Sequence, residues 1–259
     1  MGSVAGVTAG VSAAAVLAVA LVAFAAGMVL RQHKVADVAW GAGFAVVAVV
    51  ALLVSAGHGV AARRWLLVAV TVVWGARLAG HIFWRGRGAG EDPRYEKMLR
   101  GRGPLYVLGT VYLGQGALIW LVSLPIQVGM SGGWAGTPLL VLGGLVWLVG
   151  LMFEAVGDWQ LERFKADPAN RGQLMDRGLW RYTRHPNYFG DACVWWGIFA
   201  IGCGSWLGLA TVVSPLVMTY VLVWGSGKRM TEKRMRDSRP DYAEYAHRTS
   251  GFIPLPPRA

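Results

Sequence analysis

The densest run of chemistry-bearing side chains is Asp176-Arg-Gly-Leu-Trp-Arg-Tyr-Thr-Arg-His-Pro-Asn-Tyr-Phe-Gly-Asp191. Arg177, Arg181 and Arg184 supply guanidinium forks, the geometry that grips phosphate. The Asn187 carboxamide offers both a donor and an acceptor, as an amide partner requires. Pro186 disfavours helix in the residue before it, and Gly190 permits close backbone approach. Asp191 then points into the next apolar run. Tyr182, His185 and Tyr188 complete a connection too specific for an ordinary basic loop.

Three other groups carry ionisable residues where burial makes them expensive, which marks them as functional candidates. Glu154 and Asp158 stand one helical turn apart. Two carboxylates there disfavour a helix C-terminus, so they need basic partners or hydrogen bonds to a cofactor's ribose or amide. Arg77, His81 and Arg85 follow at i, i+4 and i+8 and share one helical stripe. Snorkelling accounts for Arg85; Arg77 and His81 together point to a polar pocket. Asp37 opens an apolar stretch in Val35-Ala-Asp-Val-Ala-Trp-Gly41, either supporting a helix start near Lys34 or doing chemistry. Cys193 and Cys203 sit ten residues apart on one expected helix. That is about 15 Å, too far for an intrachain bridge. No metal-ligand spacing is present.

The elements that position these residues must be membrane helices. The chain has 259 residues, 55% hydrophobic and only 15% charged, with a mean hydropathy of +0.44. No charged residue precedes Arg31, falls between Arg102 and Glu154, or falls between Asp191 and Lys228. Such runs suit roughly 20-residue spans, and backbone in lipid must satisfy its own hydrogen bonds, so they are helical. The fold class expected is all-α, a polytopic bundle of about seven transmembrane helices. The spans fall near 9–30, 36–57, 64–84, 104–128, 137–157, 188–204 and 206–226, with turns at Gly129–Gly136 and Gly202–Ser205. The sixth is short.

Basic residues set the expected topology. They concentrate near 85–102, near 159–187 and in the tail from Lys228. An odd number of spans puts all three on the cytoplasmic side, with the N-terminus outside. Arg63 and Arg64 are the exception. The net charge of +11 is therefore mainly an orientation signal that also attracts anionic headgroups. Nucleic-acid binding is not expected, because no such module surrounds the basic residues. The first span lacks a charged leader region and reads as a retained helix. The whole chain, 1–259, reads as one membrane domain, with substrate-side helices over 1–150 and cofactor-binding elements over 151–259.

The stretch Gly178–Asp191 resembles the bacterial branch of the steroid 5-alpha-reductase family, the membrane reductases of DUF1295 type. The likeness extends to Asp158-Trp-Gln-Leu-Glu-Arg-Phe-Lys165, Tyr242-Ala-Glu-Tyr245, Phe252-Ile-Pro254, Asp37-Val-Ala-Trp-Gly41 and Gly90-Glu-Asp-Pro-Arg-Tyr95. It covers most of the chain. The resemblance implies seven helices, NADPH held on the cytosolic side, and hydride transfer to an activated carbon–carbon double bond in a lipophilic substrate. It places Asp158, Lys165, Asn187 and Asp191 at cofactor-contacting positions, with Tyr182, His185, Tyr188, Tyr245 and Arg248 as further carry-overs. The tyrosine that grips a ketone in mammalian members is replaced by Ile82, and the matching glutamate has no counterpart by motif. The proton donor that enone reduction needs is therefore sought among Asp37, His81 and Tyr95.

Two other functions compete. Arg184-His-Pro-Asn-Tyr-Phe-Gly190 also fits the pattern of isoprenylcysteine-type methyltransferases, which use S-adenosylmethionine. A transporter or lipid-binding scaffold would show inverted repeats, and none is visible. The expectation is an integral protein of a bacterial inner membrane, taking a lipophilic small molecule from the bilayer.

Overall fold

The computed structural model describes residues 2–133, 136–225 and 227–258. Their regular structure is helical, with no β-strand among them. The helices are α1 (Gly2–Leu30), α2 (Val35–Val54), α3 (Ala61–Gly86), α4 (Pro93–Leu99), α5 (Pro104–Gly129), α6 (Thr137–Ala166), α7 (Pro186–Gly202), α8 (Trp206–Ala210), α9 (Val213–Val223), α10 (Lys228–Ser238) and α11 (Tyr242–Arg248). Six stretches are long and apolar enough to cross a membrane: α1, α2, α3, α5, α6 and the run Trp206–Ser238. The protein is an integral membrane protein. α7 coincides with the short sixth span; its 17 residues reach only about 25 Å, under the roughly 30 Å hydrocarbon thickness. The expected turn Gly129–Gly136 includes residues 134 and 135, which lie outside the described residues.

The chain divides into two compact units, residues 1–140 with 198–214 and residues 141–197 with 215–259. In the first, α2 and α3 meet backbone to backbone. A Cβ on Gly41 would fall 2.6 Å from the Gly75 carbonyl oxygen, and one on Gly75 would fall 2.5 Å from that of Gly41. Phe44, Leu67 and Trp74 are fully buried in this unit. Arg63 is also buried, 2% exposed. Its Nε donates to the Ile201 carbonyl at 3.0 Å and its Nη1 to that of Gly132, also at 3.0 Å. Arg64 donates to the carbonyl of Leu52. The two arginines that depart from the expected charge distribution are thus cations bonded to carbonyls at chain turns, where the helix dipole favours positive charge.

In the second unit the same device sets the register of α6 against α7. Gly143, Gly150 and Gly157 recur every seven residues on α6, as do Gly190 and Gly197 on α7. A Cβ on Gly150 would lie 2.5 Å from the Gly190 oxygen; one on Gly197 would lie 2.6 Å from the Gly143 oxygen; one on Gly157 would meet Pro186 at 3.1 Å. In lipid no hydrophobic force drives helices together, so close van der Waals contact at small residues does. The expected close approach at Gly190 is therefore real, and its target is the α6 backbone.

This packing predicts a contrast within one helix. Gly150→Ala inserts a methyl where no space exists and should lower the thermal midpoint of the detergent-solubilised protein, a cost of about 1–3 kcal/mol. Gly144→Ala meets nothing within 4 Å and should leave the midpoint unchanged or raise it, since Gly in a helix costs roughly 0.5–1 kcal/mol relative to Ala.

Candidate active site

Each unit carries a polar cluster. The one in the first unit is built on the start of α2 and on the short helix α4. Asp92 caps α4 by accepting from the Arg94 backbone N–H at 2.8 Å, and Pro93 occupies the first turn. That cap aims Arg94 and Tyr95 at Asp37. The Tyr95 hydroxyl donates to Asp37 Oδ1 at 2.5 Å, and Arg94 Nη2 donates to Asp37 Oδ2 at 2.8 Å. Gln115 Nε2 donates to the Tyr95 oxygen at 3.0 Å. The ring of Tyr95 is buried among Ala20, Ala36, Val107 and Val111. Burial, reinforced by the Asp37 carboxylate, pushes the Tyr95 phenol well above its usual range. Arg94, hydrogen-bonded to Asp92, is held still more firmly protonated.

Asp37 and Tyr95, which the sequence nominates separately, thus form one acid pair: a neutral phenol whose proton rests on a carboxylate fixed by an arginine. The pair can hand a proton to an acceptor that displaces the contact. His81 is half-buried on α3. Sequence reasoning misses Arg94, Gln115, Tyr112 and His33. Arg94 reads there as topology charge and as part of the Gly90–Tyr95 motif, with no role of its own. Gln115 and Tyr112 lie in an uncharged run, where α5 makes a π-helical turn over Leu108–Leu113. Such turns mark many functional sites. Tyr112 and His33 share a hydrogen bond of 2.9 Å.

Asp37 lines a cavity of about 640 Å³ in this unit, bounded by the end of α1, the start of α2, the end of α3 and the segment 86–93. That segment is pinned twice. Lys34 Nζ donates to the carbonyls of Gly86, Ala89 and Gly90 at 2.8, 2.6 and 3.0 Å. Glu91 accepts from the backbone N–H groups of His33, Lys34 and Asp92. Lysine therefore satisfies carbonyls at the end of α3, and glutamate satisfies amides at the start of α2.

The second cluster follows from the α6–α7 register. With Gly157 against Pro186, the next residues along each chain meet: Asn187 Nδ2 donates to Asp158 Oδ1 at 3.2 Å. Asp191 lies one turn further into α7 and is nearly buried. Lys165 is exposed at the end of α6, and Tyr182 is exposed in the connection. Exposed Arg163, Arg171, Arg177 and Arg181 belong to the same helix end and connection.

The remaining candidates hold the tail. Arg184 donates through Nε and Nη2 to Glu232 Oε1 at 3.0 and 2.7 Å, and through Nη1 to the carbonyls of Ala246 and Thr249. His185 Nε2 lies 3.3 Å from the same Glu232 oxygen, and its ring stacks on Tyr188 at 5.2 Å. Tyr245 donates to the Trp180 carbonyl at 2.6 Å, and Arg248 pairs with Asp176 at 2.6 Å. The Arg-His-Pro-Asn-Tyr motif thus has two faces: Arg184 and His185 anchor α10 and α11, while Asn187 meets Asp158.

Burial lowers the His185 pKa, and this outweighs the opposing pull of Glu232. The unfolded chain therefore takes up that proton first, near the ordinary value of about 6.5. Stability is full above that pH and falls as pH drops toward the folded-state value. The thermal midpoint should decrease from pH 7 to pH 5, and His185→Gln should flatten that slope.

Comparison with known proteins gives the following. An uncharacterized protein of the fission yeast Schizosaccharomyces pombe is similar at 24% identity, over 76% of this chain and 65% of its own length. The chain thus spans just under two thirds of that relative. No solved structure matches significantly. The description "Protein of unknown function (DUF1295)" matches residues 23–249, which takes in both polar clusters. By that match the chain belongs to the DUF1295 family, the steroid 5-alpha-reductase-like membrane proteins.

Proposed function

We propose that the protein is an NADPH-dependent reductase that saturates an activated carbon–carbon double bond in a lipophilic substrate drawn from the bilayer. The observation that carries this reading is the Asp158–Asn187 contact. It joins a carboxylate suited to a ribose hydroxyl with a carboxamide suited to a nicotinamide amide. The exposed Lys165, Arg163, Arg177 and Arg181 supply phosphate-binding charge. Bound NADPH would supply the hydride. Tyr182 and Tyr188 are the ring surfaces against which a base or nicotinamide would lie, and Asp191 adds a second acceptor. His185, Tyr245 and Arg248 act indirectly, by holding the connection and the tail in place.

The acid step falls to Asp37 and Tyr95. Hydride addition to the β-carbon of an enone leaves negative charge on the carbonyl oxygen, and the α-carbon must then gain a proton. Tyr95 is a phenol kept protonated by its surroundings and can donate a hydrogen bond to that oxygen. Asp37 orients it, and Arg94 fixes Asp37. His81, on the neighbouring helix, remains a candidate for relaying the proton. The site would face the cytoplasm, where NADPH is made.

The methyltransferase reading rests on the same Arg-His-Pro-Asn-Tyr segment and predicts S-adenosylmethionine in place of NADPH. The two separate cleanly in the purified protein. NADPH should raise the thermal midpoint and S-adenosylmethionine should not. Asn187→Ala and Asp158→Ala should each weaken NADPH binding about tenfold, the loss of one charge-assisted or amide hydrogen bond. Stabilisation by S-adenosylmethionine alone would overturn the reductase reading.

A further inference from the structure

The cavity beside Asp37 has the size of a small-molecule site, about 640 Å³ within the usual 300–1,000 Å³. Its walls differ in character. Leu30, Val35, Val38, Ile82 and Phe83 form an apolar side, and Arg85 and Arg87 stand at the rim. Most of the other charge is already committed. Lys34 serves three carbonyls, Glu91 serves three backbone amides, and Asp37 and Asp92 both take Arg94. The cationic charge outside these contacts is that of Arg85 and Arg87, both exposed.

The depth of the rim can be read from its neighbours. Phe83 and Trp84 are exposed at the end of α3, and the Arg87 guanidinium lies 5.9 and 5.1 Å from their ring centres. Exposed aromatics followed directly by arginine at the end of a span mark the headgroup level of a bilayer. The rim is also built. The chain turns at Gly88, with φ +73°, and Lys34 and Glu91 hold the segment on either side. An apolar wall in the span with guanidinium groups at headgroup depth matches one class of ligand.

We infer that this cavity binds a single-chain amphiphile with an anionic head, carboxylate or phosphate, held by Arg85 and Arg87 with its chain along Ile82 and Phe83. As a statement about substrate class the inference rests on the reductase reading, because Asp37 lines the cavity; the binding itself does not require NADPH. Guanidinium forks match carboxylate and phosphate alike, so the ligand could be a fatty acid or a lysophospholipid.

The test uses the full chain in nanodiscs of phosphatidylcholine, without NADPH. Oleate or oleoyl lysophosphatidic acid should raise the thermal midpoint, and comparing the two tells which head is preferred. Oleyl alcohol and inorganic phosphate should not, since each lacks one half of the recognition. Arg85→Gln with Arg87→Gln should weaken binding at least tenfold, while Lys97→Gln, outside the cavity, should not. Equal stabilisation by oleyl alcohol, or full affinity in the double variant, overturns the inference. Because wild-type protein alone separates oleate from oleyl alcohol, a variant that fails to fold leaves the test intact. A wild-type protein that binds NADPH but is not stabilised by oleate or oleoyl lysophosphatidic acid would count against this site only.

Discussion

The contact of α6 with α7 through glycine is the constraint on which the second unit depends. With no side chain at Gly150 or Gly190, the two backbones approach until a methyl group could not fit. Gly150 faces Gly190 and Gly143 faces Gly197, and this register brings Asp158 level with Asn187. Shifting one helix by a single turn, about 5.4 Å, would part the two side chains. Two polar groups in a mostly apolar helix pair are thus positioned by the residues that have no side chain at all. The polar contact itself is modest, near 1 kcal/mol in net terms, and could not set the packing.

The first unit solves a related problem differently. An ionisable residue at the edge of the hydrocarbon must have its charge answered, or burial neutralises it. Asp37 is answered by Arg94 and Tyr95, both delivered by the seven residues of α4. Arg63 is answered by two carbonyls. Lys34 and Glu91 exchange roles across helix ends, each satisfying backbone groups that the neighbouring helix leaves open. Lys34, Asp37, Arg63 and Glu91 are each answered in this way, while Arg85 and Arg87 line the cavity outside these contacts.

Much of this is legible in the amino-acid pattern. The spans can be read because lipid imposes a length and forbids charge, and both leave plain marks between Arg102 and Glu154. Asp37, Tyr95, Asp158 and Asn187 can be nominated by type and place. What the pattern does not carry is which of them meet. Asp37 and Tyr95 stand 58 residues apart, and nothing local in either segment announces the other. Gln115 carries no charge and sits in an apolar run, so its bond to Tyr95 leaves no trace in the pattern. Arg184 and His185 read as phosphate or cofactor ligands, yet their partner Glu232 lies in a basic stretch that reads as solvated surface. The seven-residue spacing of glycine on α6 is visible but carries little weight alone, since isolated glycines in a membrane helix are common.

The central claim is that the second unit seats a nucleotide cofactor on Asp158 and Asn187. A cryo-EM map of the protein saturated with NADPH addresses it most directly. The account predicts density for the nicotinamide end within hydrogen-bonding distance of Asn187 and for the phosphates among Lys165, Arg177 and Arg181. A map in which the Asp158–Asn187 contact persists with no cofactor against it, and the cofactor elsewhere or nowhere on the chain, would contradict it.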